Sequence, residues 1–373
     1  MNIRITGFLV VMCLVVVTGC GGREESDSSV SNRAVQRTAF AESLSVEVRP
    51  MTKEEAVDSR VSLSFQGALT GARFPQKARH SLFTTNGRYL VWKRTYMDTL
   101  CVYDLRGGEM VNKTRIPRGE GPGEFEQLSG ATITDEDVVY LAEPNQAKLL
   151  RFDVTKGPLE DLTFYESGFR PERVDARGTQ LVAKRISGGS SGTELVGVIG
   201  SDRVFRAADG IDFRKELGSL FFQAGRLDAA RQRAFFLTRY RPRIYVFDLE
   251  HNRFDERVVY GNVDVEIEMT GSENTDSGVT VYRPPQEVEF FAYEVVAVPG
   301  RPSRVLIKAE GSGDQHSFDP SALYEIDVQT GTIVAEHDLG LKIYKVATAD
   351  SSLYVYDDEK REVFAYRLRS SEP

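Results

Sequence analysis

Cysteine and histidine are scarce in this chain, with three Cys and four His in 373 residues. The histidines (His80, His251, His316, His337) are scattered, so no Cys/His spacing of the zinc-site kind exists. An apolar run long enough to cross a bilayer is missing as well: Phe8–Val17 is too short to span comfortably. Basic excess is absent too, and a net charge of −8 argues against a generic nucleic-acid binder. The glycine-rich stretch at 118–125 lacks the Gly-Lys-Ser/Thr ending of a P-loop.

What is present is a repeat. A seven-residue segment returns six times, at Arg88–Arg94, Asp137–Glu143, Thr179–Arg185, Arg233–Arg239, Arg304–Glu310 and Ser351–Asp357, and each copy ends on a charge. A first short strand precedes each copy, and a third follows, clearest at Cys101–Leu105, Leu150–Val154, Tyr245–Leu249 and Tyr324–Val328. Turn signals such as Asn86-Gly87 and Arg106-Gly107-Gly108 separate the runs, which reads as antiparallel meanders. Consecutive apolar residues inside the copies (Leu90, Val91, Trp92; Phe235, Phe236, Leu237) mark strands buried on both faces.

The third-strand marker falls at Asp104, Asp153, Ile199, Asp248, Asp327 and Arg367. Its spacing is about 40 to 50 residues, one propeller blade, and nearly doubles between Asp248 and Asp327, where an insertion occupies about 262–289. A β-sandwich or barrel also uses short strands but does not repeat one four-strand unit six times. The expected fold is therefore all-β, a six-bladed β-propeller of four-stranded antiparallel blades, with units starting near 76, 126, 170, 222, 291 and 342. The last unit stops at its third strand, so an N-terminal strand is expected to close the ring. Leu44–Val48 and Val61–Phe65 both alternate suitably.

The N-terminus is a separate object. A short basic start and the Phe8–Val17 h-region precede Val17-Thr18-Gly19-Cys20, which resembles a bacterial lipobox. Residues 1–19 are expected to be a lipoprotein signal peptide, and 20–43 a flexible tether from a Cys20 carrying acyl chains such as palmitate. The propeller then occupies 44–373. Gly21 next to the cysteine, with no Asp, favours the outer membrane of the cell envelope. Removal of Cys13 with the signal and lipidation of Cys20 leave Cys101 alone, as a small buried apolar residue that can form no internal disulfide.

The phrase Arg118-Gly119-Glu120-Gly121-Pro122-Gly123-Glu124-Phe125 sits between the first and second units. It resembles the signature of NHL-type repeats and of the six-bladed β-propeller lipoproteins abundant in Bacteroidetes. That resemblance implies the fold and an envelope location, and little about activity. Its glycines suit positive φ at an inter-blade turn better than a phosphate cradle, with Phe125 wedged between blades.

The end residues Arg94, Glu143, Arg185, Arg239, Glu310 and Asp357 occupy equivalent places on one face of the ring. Two readings stand: strand ends meeting water, or a polar ring lining a ligand-accepting mouth. Arg239, Tyr240 and Arg241 lie together on a short turn, and arginine forks beside an aromatic suit carboxylate, phosphate or sugar ligands. The loop 310–321 adds Asp314, His316 and Asp319, a weak metal or acid–base pattern. The preferred function is a lipid-anchored module that binds an envelope protein, peptide or glycan, with no cofactor, no metal and no nucleic acid. The alternative is an envelope hydrolase or lactonase-like enzyme, since six-bladed propellers can hold a central metal; Glu143, Asn145, Glu310 and Asp357 would be its candidates.

Overall fold

The computed structural model describes residues 61–68, 81–94, 98–164, 169–177, 180–185, 195–200, 202, 204–207, 222–228, 233–238, 242–261, 270–274, 279–283, 290–299, 301–312 and 317–370. All of them belong to one compact unit, Leu44–Pro373, and every regular element among them is a strand. The unit Met1–Ser43, with Cys20 and the expected tether, lies outside the described residues, as does Leu44–Val48.

β1 (Val61–Ala68) comes first, followed by blade 1: β2 (Ser81–Thr85), β3 (Tyr89–Arg94), β4 (Thr99–Asp104) and β5 (Glu109–Arg115). Blade 2 contains β6 (Gly130–Ile133), β7 (Val138–Glu143), β8 (Lys148–Asp153) and β9 (Gly157–Thr163). Blade 3 is β10 (Arg173–Arg177), β11 (Gln180–Arg185), β12 (Leu195–Ile199) and β13 (Phe205–Ala207). Blade 4 is β14 (Phe222–Asp228), β15 (Arg233–Thr238), β16 (Arg243–Asp248) and β17 (Arg253–Val259). The insertion carries a hairpin of its own, β18 (Thr270–Asn274) and β19 (Val279–Arg283). Blade 5 is β20 (Phe290–Val298), β21 (Arg301–Ser312), β23 (Ala322–Asp327) and β24 (Ile333–Asp338), with the short β22 (Ser317–Phe318) on the end of β21. Blade 6 is β25 (Ile343–Ala349), β26 (Ser352–Asp357) and β27 (Glu362–Ser370), completed by β1.

Each blade is a four-stranded antiparallel meander in sequence order, except that β1 supplies the fourth strand of blade 6. Of the two closing candidates it is therefore Val61–Phe65 that pairs, with Leu63 opposite Leu368 and a bulge between Phe65 and Gly67. The first strands touch in a closed cycle, β2 to β6 to β10 to β14 to β20 to β25 and back to β2. That cycle is the ring.

Side-chain alternation explains the repeat. In β3, Val91 joins the apolar cluster shared with blade 2, while Leu90 and Trp92 join the cluster shared with blade 6. In β26, Leu353 and Val355 pack toward blade 5, and Tyr354 and Tyr356 toward blade 1. Successive residues thus point into different cores, so both must be apolar. Every pair of neighbouring blades shares one such cluster. Cys101 lies in the blade 6/blade 1 cluster, where burial pushes its thiol pKa up.

The third-strand aspartates serve the turns. Asp104 Oδ1 accepts from the amides of Arg106 and Gly107, Asp153 from Thr155 and Lys156, Asp248 from Glu250 and His251, and Asp327 from Gln329 and Thr330. Each carboxylate thereby closes the bend into the fourth strand by satisfying amides that no ladder partner reaches. Burial alone would raise the Asp153 carboxyl, but the Lys156 and Thr155 hydrogen bonds outweigh it and hold it at about 2. Its stabilisation is complete above the unfolded value of 3.8 and is lost as pH falls toward about 2. Asp153→Ala should cost about 1–2 kcal/mol in urea unfolding at pH 7, with the difference from wild type shrinking below pH 3.

Candidate functional site

Second strands end on the face where first strands begin, because the two are antiparallel neighbours. The described end residues Arg94, Glu143, Arg185, Glu310 and Asp357 therefore share one face of the ring, and the three carboxylates are used differently. Glu143 is fully buried. Its Oε2 accepts from the amides of Glu126 (2.9 Å) and Gln127 (2.7 Å), and its Oε1 from Asn145 (3.0 Å). Burial pushes its carboxyl pKa up against the pull of those three amides. Asp357, also buried, repeats the arrangement: Oδ1 accepts from Glu359 and Lys360 (2.8 Å each), and Oδ2 from Lys342 (3.2 Å).

In both blades the carboxylate ties the loop entering the blade to the end of its second strand. Neither carboxylate meets water. Glu143, Glu310 and Asp357 also do not gather around one point: among the described residues no three His, Cys, Asp or Glu side chains stand where they could hold a metal ion. The expected metal set of the lactonase-like alternative is thus not assembled, because two of its carboxylates are already engaged by backbone amides. Asn145 is exposed in the turn after Glu143.

The glycine-rich loop is a connector. Gly119 N donates to Phe125 O (3.1 Å), Gly121 N to Glu124 Oε2 (2.8 Å) and Gly123 N to Asp161 Oδ2 (2.8 Å). Gln146 Nε2 and Lys148 Nζ of blade 2 donate to the carbonyls of Gly119 (2.6 Å) and Gly121 (2.8 Å). Gly123 has φ 70°, a conformation that favours glycine. With its amides committed to the protein's own acceptors, the loop is not a phosphate cradle. Phe125 is fully buried between blades 1 and 2, with the Lys93 ammonium 4.3 Å and the Arg118 guanidinium 5.8 Å from its ring centroid.

Sequence reading missed a set of lysines buried within the apolar segments. Lys93, Lys184 and Lys308 sit on second strands, with Lys148 at the start of a third. Lys184 pairs with Glu172 at 3.6 Å and Lys148 with Asp161 at 3.5 Å. Desolvation, followed by the nearby Arg118 charge and partly offset by Asp98, lowers the Lys93 pKa to about 7.

Blade 5 differs from blades 2 and 6 at the mouth. Glu310 is half-exposed, its Oε1 accepting from the Tyr293 hydroxyl and its Oε2 lying 3.9 Å from Lys308 Nζ. Lys308 is 3 % exposed and stands over the Tyr293 ring, 4.9 Å from its centroid. Burial lowers its pKa, and Glu310 and Asp319 draw it partly back. On the adjoining blade Lys345 pairs with Glu294 and lies 5.7 Å from the centroid of the Tyr344 ring. Arg94 and Arg185 close β3 and β11 as backbone. Arg239, Tyr240, Arg241, Asp314 and His316 lie outside the described residues.

Glu143→Ala should cost about 2–4 kcal/mol, because three amides lose their acceptor, and chemical denaturation checks this. Lys93→Met should raise the melting temperature at pH 6. Between pH 7 and 10 the unfolded wild-type chain retains a proton that the folded one has lost, so wild-type stability rises through that window. The variant should lack that rise.

Residues 40–167 match a family model described as DUF5128, 6-bladed beta-propeller. No curated protein matches the sequence. Among solved structures, the chain is similar to a Bacteroides fragilis protein provisionally assigned as exported, with 12 % identity, a TM-score of 0.50, and coverage of 87 % of this chain and 98 % of that one. It is also similar to virginiamycin B lyase from Staphylococcus aureus (9 % identity, TM-score 0.47, 83 % and 100 % covered). A third likeness is to the β-propeller domain of Cps50 (Swd1) from Myceliophteria thermophila (11 %, 0.46, 83 % and 100 %). At such identities likeness concerns the fold alone. The partial family match and the closed cycle of six four-stranded antiparallel blades agree: this chain is an all-β six-bladed propeller.

Proposed function

We propose that this chain is a lipid-anchored binding module of the cell envelope, held to the outer membrane through Cys20, which takes a ligand or partner on the charged face of its ring. The lipobox-like Val17-Thr18-Gly19-Cys20 after an apolar h-region supports the anchor. One observation carries the binding reading. Glu143 and Asp357 are consumed by backbone amides, whereas Glu310, with Tyr293 and Lys308 beside it, reaches solvent as a half-exposed carboxylate. A solvent-reaching charged group on the face of a ring-shaped scaffold suits recognition. Arg239, Tyr240 and Arg241, which follow β15 directly in sequence, are proposed to take part in the same binding.

Native-membrane purification tests both halves. Wild-type protein should fractionate with the outer membrane and bring a partner or glycan with it, and Arg239→Glu/Arg241→Glu should lose that partner while staying anchored. Cys20→Ser should release the chain from the membrane fraction. A preparation without any partner in either form would count against the binding reading, and continued membrane association of Cys20→Ser against the anchor.

A further inference from the structure

Two cations meet at one buried ring where blades 1 and 2 join. The Lys93 ammonium lies 4.3 Å from the centroid of the fully buried Phe125 ring, and the Arg118 guanidinium 5.8 Å from it. Lys93 is itself 0 % exposed, and its alternation with Val91 turns it toward blade 2. A ring face offers an ammonium less than water does, and a like charge at the same ring takes part of that away. Burial, and then the Arg118 charge, therefore loosen the hold of Lys93 on its proton, with Asp98 drawing it partly back.

What lies against this amine is part of a loop. Residues 117–125 run between β5 and β6, and Phe125 stands at their end. Phe125 N donates to Pro117 O (3.1 Å) and Gly119 N to Phe125 O (3.1 Å), so the two ends of the segment are tied to each other. A compact loop closed on itself can leave the surface as one body. It is fastened to blade 2 through Gln146 Nε2 on Gly119 O, Lys148 Nζ on Gly121 O and Gly123 N on Asp161 Oδ2. Just past it, Glu143 holds the amides of Glu126 and Gln127. Pro117, Arg118, Glu120 and Pro122 are exposed, so the outer side of the loop meets solvent.

Charged groups reach this joint from each neighbouring element. Arg118 stands on the loop and Asp98 just before β4, while Glu143, Lys148 and Asp161 of β7, β8 and β9 brace the loop from blade 2. The paired strand β2 (Ser81–Thr85) carries no charge. Lifting the loop takes Phe125 and Arg118 off Lys93 and admits water, where an ammonium is best solvated. We infer that Lys93 makes the joint between blades 1 and 2 acid-sensitive: with a neutral amine the loop 117–125 stays closed, and uptake of a solvent proton by Lys93 Nζ favours a state in which the loop is lifted. Since β6 starts on the face where second strands end, the lifted loop would reshape that face at blades 1 and 2. This goes beyond the binding reading and does not depend on it.

Hydrogen exchange of the full chain in detergent, read by mass spectrometry from pH 6 to pH 8 and corrected for intrinsic chemistry, tests this. Peptides covering 117–125 should exchange well ahead of those from the β21 ladder. With Lys93 at about 7 when the loop is closed and at its ordinary 10.5 in water, their opening equilibrium should fall about tenfold from pH 6 to pH 8. Lys93→Met should flatten that fall, and because it leaves Glu143 in place, any slope due to that carboxylate stays visible in the variant. Arg118→Gln, at an exposed residue, keeps the test decisive should Lys93→Met fold poorly: with the repulsion gone, the fall should begin at higher pH. A loop that exchanges together with the β21 ladder, wild-type protection independent of pH, or the wild-type slope retained in a folded Lys93→Met would each overturn the inference. The binding reading would survive any of these outcomes.

Discussion

No blade of this protein owns a hydrophobic core. Each apolar cluster lies between two sheets and draws alternate residues from each, so a blade taken alone would expose both of its faces. Burial on both sides is the constraint from which the rest follows: consecutive apolar residues in the second and third strands, polar outer strands such as Glu109–Arg115, and a ring that has to close. An open arc would leave the faces of blades 1 and 6 in water. The cluster containing Trp92, Cys101, Tyr354 and Tyr356 is what closure buries.

Acidic side chains in this frame act mainly as acceptors for backbone amides. The four third-strand aspartates serve their own turns, and Glu143 and Asp357 reach across to the loop entering their blade. A carboxylate accepting two or three amides is a strong fastening, because each bond is charge-assisted and each amide is otherwise short of a partner. The same economy explains the glycine-rich connector, whose amides are met by Glu124 and Asp161. Buried lysines follow the opposite logic. Their donors need acceptors: Lys184 finds Glu172 and Lys148 finds Asp161, while Lys308 stands over the Tyr293 ring with Glu310 3.9 Å away.

Much of the fold was legible because strand alternation and blade packing write themselves into a short segment. The second strands coincide with the seven-residue copies almost residue for residue, as at Tyr89–Arg94 and Ser352–Asp357, and the Asp markers end the third strands. The closing strand was one of two candidates that composition could not separate, since both alternate. The site was less legible. Aligning the copies made Glu143, Glu310 and Asp357 look equivalent, yet what each carboxylate meets depends on the loop arriving beside it, and those loops differ in length and sequence. Tyr293 and Tyr344 were hidden for another reason. A bulge shifts the register by one residue without altering the apolar pattern around it, so nothing in the one-dimensional signal marks which residue is the extra one.

Among the described residues the strand that finishes blade 6 is the earliest in sequence, and its partner is the latest. Val61–Ala68 leaves the ribosome ahead of all six blades but finds Glu362–Ser370 only after every other blade has been synthesised. Nearly the whole propeller therefore has to be available before its last ladder can form, which places the largest loop-closure entropy at the end of assembly and makes the pairing a slow, late event. Until then the chain carries an unpaired β27 edge and an exposed pair of blade faces, the state most prone to sticking to its own kind. Once formed, that one ladder fastens the ends of the ring to each other, so its rupture would free blades 1 and 6 together.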